Sequence, residues 1–546
     1  MADLNKPNVA RQLGGDPDWW RSGVIYQVYP RSYQDSNGDG IGDLPGIIER
    51  LDYLAGLGVD AVWISPFYKS PMKDFGYDVS DYQDVDPLFG TLEDFDRLLE
   101  KAHRLGIRIL IDLVMSHTSD QHPWWLESRG SRDNAKADWY VWAEPKPDGS
   151  PPNNWLSIFG GSAWEWDTVR RQYYLHNFLI SQPDLNFHNP QVQDALLDMV
   201  RFWLDRGVDG FRLDTANMYF HDTELRDNPP MPPHMHVNGI DASNPYAMQV
   251  PMYNITRPEN LTFLERFRAL LDEYPAVTSV GELGAVMDMY QTIADYTEAG
   301  KRLHMGYSFD FMTTEYSAAH IRRVVERMQE RAGNGWPCWA FSNHDVMRVV
   351  SRWGSGPDSA VMLSALQMSL GGTPCLYQGE ELGLPEADVA FEDLQDPFGI
   401  RVWPGYKGRD GCRTPMPWQA DEAQAGFSTA KPWLPVADRH RPLAVDQQTA
   451  PDSLLQRTRQ FIHWRREQPA LLHGSLSFAD APESVVALMR EHDGKRLFCA
   501  FNLGDTPCRF DSGHAGLQAL EGHPFTTTCQ DGVLELPAFG AFFGTL

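Results

Sequence analysis

The chain has 546 residues, long enough for more than one domain. Hydrophobic residues make up 42% and charged residues 22%, an ordinary globular balance that excludes disorder over most of the length. A formal net charge of −27, with no Lys/Arg cluster to offset it, excludes a nucleic-acid binder, because such a surface repels phosphate backbones.

The first twenty residues lack the basic start and apolar run of a signal peptide. No stretch reaches the roughly 18 consecutive apolar residues of a membrane span. A cytoplasmic protein with no membrane partner is therefore expected, as a monomer or a homodimer. Residues 24–29 (VIYQVY) read as a buried strand. Residues 45–57 place Ile47, Leu51, Leu54 and Leu57 on one helical face, with Gly58 as terminator. Residues 61–65 (AVWIS) read as the next strand. Residues 92–105 form a second amphipathic helix, which Gly106 ends, and 108–114 (RILIDLV) a third strand. The rhythm resumes with a helix over 193–206 and strands at 210–214, 278–282, 307–311, 336–342 and 374–378. Eight strands with helices between them predict a parallel α/β fold, and the lack of a Gly-rich dinucleotide fingerprint favours a closed (β/α)₈ TIM barrel over an open sheet.

Three stretches interrupt this rhythm. Residues 119–182 are rich in Trp, Pro, Asn and Gly and are long enough for a small loop domain. Residues 220–260 contain NPPMPPHMH, which cannot be helix. Residues 380–450 hold WPGYKGRDGCRTPMPW. The expected division is a barrel over 1–118 and 183–471, the inserted domain at 119–182, and a C-terminal antiparallel β-sandwich at 472–546, where short alternating runs set in. The six cysteines (338, 375, 412, 499, 508 and 529) match no zinc spacing, so free thiols are expected.

Acidic residues recur at the carboxyl ends of the predicted strands: Asp112, Asp214, Glu282 and Asp345. A barrel gathers those ends on one face. Converging carboxyls suit glycoside cleavage, which needs one protonated group to release the leaving oxygen and one ionised group to attack the anomeric carbon. Arg212 lies two residues before Asp214, so both side chains share a strand face, and this favours Asp214 as the ionised nucleophile. Glu282 has no cation adjacent in sequence and is the better acid/base candidate. His117 and His344 flank the group.

A second signal is the run 35–43 (DSNGDGIGD). Asp35, Asn37, Asp39, Ile41 and Asp43, with Gly40 at the turn, match the first part of a calcium loop. Gly46 stands where a helix–loop–helix calcium hand needs Glu, so a structural Ca²⁺ or Mg²⁺ is expected rather than a switch. An Asx-rich turn without metal is the competing reading. Nothing calls for an organic cofactor.

At these residues the chain resembles the α-amylase superfamily, glycoside hydrolase family 13, over nearly its whole length. DLVMSHTSD (112–120), GVDGFRLDTAN (207–217), VGELG (280–284) and FSNHD (341–345) look like the four core motifs, in order. QPDLN (182–186), GTPCLYQGEELG (372–383) and GRDGCRTPMPW (408–418) resemble segments of the oligo-1,6-glucosidase and α-glucosidase branch. The resemblance implies Asp214 as nucleophile, Glu282 as general acid/base and Asp345 as the third carboxylate. It implies His117, Arg212 and His344 as holders of the reacting glucose. In DFGYD (74–78), Asp74 and Tyr77 would meet the non-reducing end, Tyr77 stacking on the ring. An arginine of GRDGCRT, Arg409 or Arg413, would pair with Asp74 and close the pocket beyond one glucose, giving exo action. The loop at Asp35 resembles the branch's metal site. Ser116 stands where many α-amylases carry Asn at a calcium. Thr215 follows the nucleophile where α-1,6-specific members resemble Asp-Val, which implies α-1,4 preference.

The expected activity is thus a retaining exo-acting α-glucosidase on maltose and other small α-glucosides, with some transfer. Sucrose hydrolysis or another sucrose-acting transfer through the same glucosyl-enzyme competes with this reading. A non-catalytic scaffold of the same barrel is the remaining alternative. Its transporter-associated relatives lack the carboxylates and carry a membrane span.

Overall fold

The computed structural model describes Leu13 and residues 15–546. The reading of the extreme N-terminus as leaderless falls largely outside these residues. Eight strands close into one barrel, each parallel to its neighbours: β1 (Ile25–Val28), β2 (Ala61–Ile64), β3 (Arg108–Leu113), β4 (Gly210–Leu213), β5 (Thr278–Glu282), β6 (Met305–Tyr307), β7 (Pro337–Ala340) and β8 (Thr373–Tyr377). β8 pairs with β1 and shuts the ring. Every residue of these strands is buried, as expected of a parallel sheet covered on both faces.

Local chemistry explains the helices. α1 (Leu44–Leu57) starts on an Asp43 cap whose side chain accepts from Gly46 N–H. It stops at Gly58, whose φ of 98° lets its N–H reach back to Leu54 O. α2 (Leu92–Arg104) starts on a capping box in which Thr91 and Asp94 serve each other's N–H. α3 (Pro190–Asp205), α4 (Glu259–Leu271), α5 (Met289–Tyr296), α6 (Ala318–Arg331) and α7 (Ala360–Gln367) complete the outer layer. Ile47, Leu51, Leu54 and Leu57 are all fully buried against it.

The sixth strand differs from expectation. It runs Met305–Tyr307, ending where residues 307–311 were expected to begin. Met305, Gly306 and Tyr307 pair with Val280, Gly281 and Glu282, whereas Ser308 and Asp310 turn the chain by bonding to each other. Aromatic residues past the turn mimic a strand but belong to the loop.

The segment 119–182 carries a helix (Pro123–Gly130) and a three-stranded antiparallel sheet from Trp142–Ala143, Trp164–Asp167 and Gln172–Leu175. Residues 220–258 hold no α-helix, only a 3₁₀ turn at Pro245–Met248. Beyond Ser475 the chain forms five- and three-stranded antiparallel sheets that share a core of Val485, Met489, Phe498, Leu534 and Phe542 among others. All six cysteines are free thiols. Among the described residues, no helix is long and apolar enough to cross a membrane.

Candidate active site

The register of β3 on β4 sets Asp112 beside Arg212 at the carboxyl end of the barrel. The Arg212 side chain is fully buried and binds three acids at once. Its Nη1 donates to Asp112 Oδ1 and to Asp214 Oδ1, each at 2.8 Å. Its Nη2 lies 2.7 Å from Glu282 Oε2. That last contact corrects the expectation that Glu282 has no adjacent cation. Arg212 is remote from Glu282 in sequence but neighbours it across β4 and β5, whose register pairs Arg212 with Val280, two residues before Glu282.

One guanidinium cannot neutralise three buried carboxyls. Burial therefore pushes Asp214 and Asp112 above the usual carboxylate range against the opposing pull of Arg212. Burial also raises Glu282 to about 7, with the Asp214 and Asp345 charges adding to it. Asp345 goes the other way. Its burial is outweighed by its neighbours His344, Arg409 and Arg413, and it stays ionised. His344 is itself pushed toward the neutral form by burial.

The arginine left open by the sequence is decided by contact. Arg409 Nη2 donates to Asp74 Oδ1 at 2.9 Å, and Nη1 to Asp345 Oδ1 at 3.2 Å. Arg413 instead donates to Asp345 Oδ1 at 2.8 Å and to the His344 carbonyl at 2.6 Å. Arg409 is held by Asp396, which accepts from Nη2 at 2.8 Å and from Nε at 3.2 Å. Asp396 was not singled out from sequence, where it is one of many acids in an irregular loop. Gln182, inside the QPDLN segment, donates to Asp74 Oδ2 at 3.1 Å.

Tyr77 and His344 stack with rings 4° from parallel and centroids 5.3 Å apart. The Tyr77 hydroxyl lies 2.6 Å from His344 Nε2 and 3.1 Å from Asp112 Oδ2. His117 sits behind them. Its Nε2–H meets the Tyr77 carbonyl at 2.9 Å, and Nδ1 accepts from the Ser116 hydroxyl at 2.8 Å. Burial lowers His117 to about 4, so it is neutral. The Ser116 hydroxyl also lies 3.2 Å from Thr215 Oγ1.

Thr215 adopts φ +40°, costly for a β-branched residue. The strained turn aims its N–H at Glu282 Oε2, 3.1 Å away. Tyr307, at the end of β6, donates to Glu282 Oε1 at 3.2 Å and accepts from Asn343 at 2.9 Å. The misplaced sixth strand hid this partner.

The loop at Asp35 closes on its own hydrogen bonds. Asp35 Oδ1 accepts from Asn37 and Gly38 N–H; Oδ2 accepts from Gly40 N–H and the Ser428 hydroxyl. Asn37 Oδ1 accepts from Asp39 N–H, and Asp39 Oδ1 from Ile41 N–H. Asp43 caps α1 and accepts from Ser36. Gly40 lies so close to Lys431 that a Cβ there would sit 2.1 Å from its carbonyl oxygen. The donors are oxygen throughout, which fits a hard cation, and Asn37 and Asp39 keep lone pairs to give. Among the described residues, no three His, Cys, Asp or Glu side chains already converge as a metal-holding group.

A (β/α)₈ barrel that brings buried carboxyls together on one arginine, with a neutral histidine beside them, has the chemistry of a glycoside hydrolase. Comparison with known proteins agrees. Residues 27–474 match the α-amylase catalytic domain, and the chain belongs to that family. It is 56% identical to a probable α-glucosidase of Rhizobium meliloti (strain 1021) over 541 residues, 98% of each chain. It is 38% identical to an oligo-1,6-glucosidase of Heyndrickxia coagulans, covering 93% of this chain and 96% of the relative. Among solved structures, the α-glucosyl transfer enzyme XgtA superposes with a TM-score of 0.94 at 57% identity, covering 96% of this chain and 99% of that one. The trehalulose synthase MutB from Pseudomonas mesoacidophila MX-45 gives 0.86 at 35% identity, covering 96% and 99%.

Proposed function

We propose that the protein is a retaining, exo-acting α-glucosidase that removes terminal α-1,4-linked glucose from maltose and other small α-glucosides. The observation that carries this is Arg212 bonding Asp214 while touching Glu282, with Asp345 and Asp74 joined by Arg409 opposite. In the proposed cycle Asp214 attacks the anomeric carbon as Glu282 gives its proton to the departing oxygen. Glu282, now ionised, takes a proton from water or an acceptor alcohol, whose oxygen displaces Asp214 with net retention. The negative charge on Asp345 favours the oxocarbenium-like transition state. Tyr77, His117 and His344 are assigned to the glucose ring, and the Asp74–Arg409 pair to the wall that limits the recess to one glucose. No organic cofactor enters this cycle.

The competing reading is glucosyl transfer, including transfer from sucrose, through the same intermediate. It is favoured by the 57% identity to an α-glucosyl transfer enzyme. Residues 119–182 and 220–260, as inserted walls around the barrel mouth, would decide which acceptor enters. We also assign a structural Ca²⁺ or Mg²⁺ to Asp35, Asn37, Asp39, the Ile41 carbonyl and Asp43, and a cytoplasmic setting to the protein.

A nitrophenyl α-glucoside assay tests the central assignment. Asp214→Ala should lower kcat/KM by about 10⁴-fold or more, and equal activity would overturn the mechanism. Proton NMR should show α-glucose as the first anomer released. Product analysis on maltose, isomaltose and sucrose separates hydrolysis from transfer.

A further inference from the structure

At the opposite end of the barrel, where strands begin rather than end, lies a cavity of about 430 Å³. Its walls come from the short helix Trp19–Ser22, the C-terminal turn of α4, and the residues leading into β5, β6 and β7. The proposed reaction uses none of them.

Three of the hydrogen-bond donors lining this cavity are Arg21, Arg268 and His304. Arg21 lies between two indoles, 4.4 Å from the Trp20 ring centroid and 4.5 Å from that of Trp336. The indoles stand at 90° to each other, so Arg21 covers a face of each. A sugar that needed those faces for stacking would have to displace it. Arg21 uses Nε for Asp18 at 3.1 Å. Arg268 uses Nε for Asp272 at 2.7 Å and Nη1 for the Arg302 carbonyl at 3.1 Å. The acids are the more exposed partners. The Asp18 and Asp272 side chains are 63% and 54% exposed, against 34% for Arg21 and 16% for Arg268. Asp18 and Asp272 line the cavity too, each paired with its arginine, and they are the more exposed member of each pair.

The third donor is His304, 9% exposed. Its Nδ1 accepts from the Ser279 main-chain N–H at 3.1 Å, so the ring proton sits on Nε2. Burial, with the nearby charges of Arg268 and Arg21, lowers its pKa to about 3, which keeps this neutral tautomer at working pH.

We propose that this cavity is a binding site for a small oxyanion, a phosphate or carboxylate group, held by Arg21, Arg268 and His304. Two guanidinium groups and one fixed N–H line the same cavity and are the kinds of donor that such a group accepts. The site lies across the barrel from the catalytic carboxyls, so occupancy by an oxyanion does not compete with substrate.

Calorimetry at constant ionic strength tests this, with inorganic phosphate, glucose 6-phosphate and succinate as separate probes. Wild type should bind at least one probe with a Kd below about 1 mM. Arg268→Gln and His304→Gln should each weaken it by about tenfold. Nitrophenyl α-glucoside turnover should stay within about twofold of wild type in both variants, which shows that they fold. Binding of the phosphates alone assigns a phosphate site, and binding of succinate alone a carboxylate site. Absence of binding by all three, or equal affinity in wild type and both variants, overturns the proposal. So does maltose displacing the probe, because that would place it in the catalytic recess.

Discussion

Arg212 is the residue on which the site's charge balance turns. It partners Asp112, Asp214 and Glu282 together, so the three acids share less positive charge than they carry. Burial, with the Asp214 and Asp345 charges adding to it and Arg212 opposing, raises Glu282 to about 7. A carboxyl whose folded pKa is raised costs nothing below its unfolded value and destabilises as pH climbs through the folded value. From an ordinary value near 4.5 to about 7, the full cost above neutrality is about 3 kcal/mol. Glu282→Gln should therefore raise Tm by about 2 °C or more at pH 8. The difference should vanish as pH falls toward about 4.5, and calorimetric scans across pH measure it. In the proposed cycle kcat/KM should fall as pH rises past about 7 and Glu282 loses its proton. Thr215 makes a second case. Its hydroxyl meets Ser116 at 3.2 Å and lies 3.4 Å from Asp214 Oδ2. Thr215→Val keeps the β-branch and removes only those contacts. The ratio of isomaltose to maltose hydrolysis should rise severalfold in that variant, as initial rates on the two disaccharides would show.

At the scale of elements, the loop 35–43 couples two things the chain needs. Asp43 caps α1, and Asp35 ties the loop to Ser428 in a distant segment. A hard cation bound there would stabilise the folded chain alone, by an amount set by its free concentration. Added Ca²⁺ or Mg²⁺ should therefore raise Tm in chelator-stripped protein, and Asp39→Ala should abolish that response with little loss of basal stability, because Asp39 serves only a local turn. An unchanged Tm in wild type would leave the loop as an Asx turn. Element boundaries follow the same logic of local chemistry. α1 and α2 sit where apolar periodicity and their terminal glycines placed them, and caps such as Gly58 and the Thr91–Asp94 box act within one turn. β6 escaped because short strands are defined by the neighbours they pair with, and Ser308 and Asp310 turn the chain just past Tyr307.

Buried polar contacts link distant parts of the molecule. Arg490, on a C-terminal strand, is 2% exposed and donates to the carbonyls of Ser369, just beyond α7, and Gly474, at 2.7 and 2.8 Å. Removing it strands both acceptors inside. Arg490→Ala should cost about 2–4 kcal/mol in denaturant unfolding. KM for the nitrophenyl glucoside should barely change, since none of the site's contacts involves Arg490.

By itself, the amino-acid sequence determined the barrel, the C-terminal sheets and the acids at or just past the strand ends. These depend on periodicity and local turn chemistry, which act over a few residues. It did not decide between Arg409 and Arg413, reveal Asp396 behind Arg409, or show that Arg212 touches Glu282. Those contacts join residues 13 to 335 positions apart. Asp396 meets Arg409 within one irregular loop, whereas the Arg409–Asp74 and Arg212–Glu282 contacts exist only once the barrel closes and brings distant segments together.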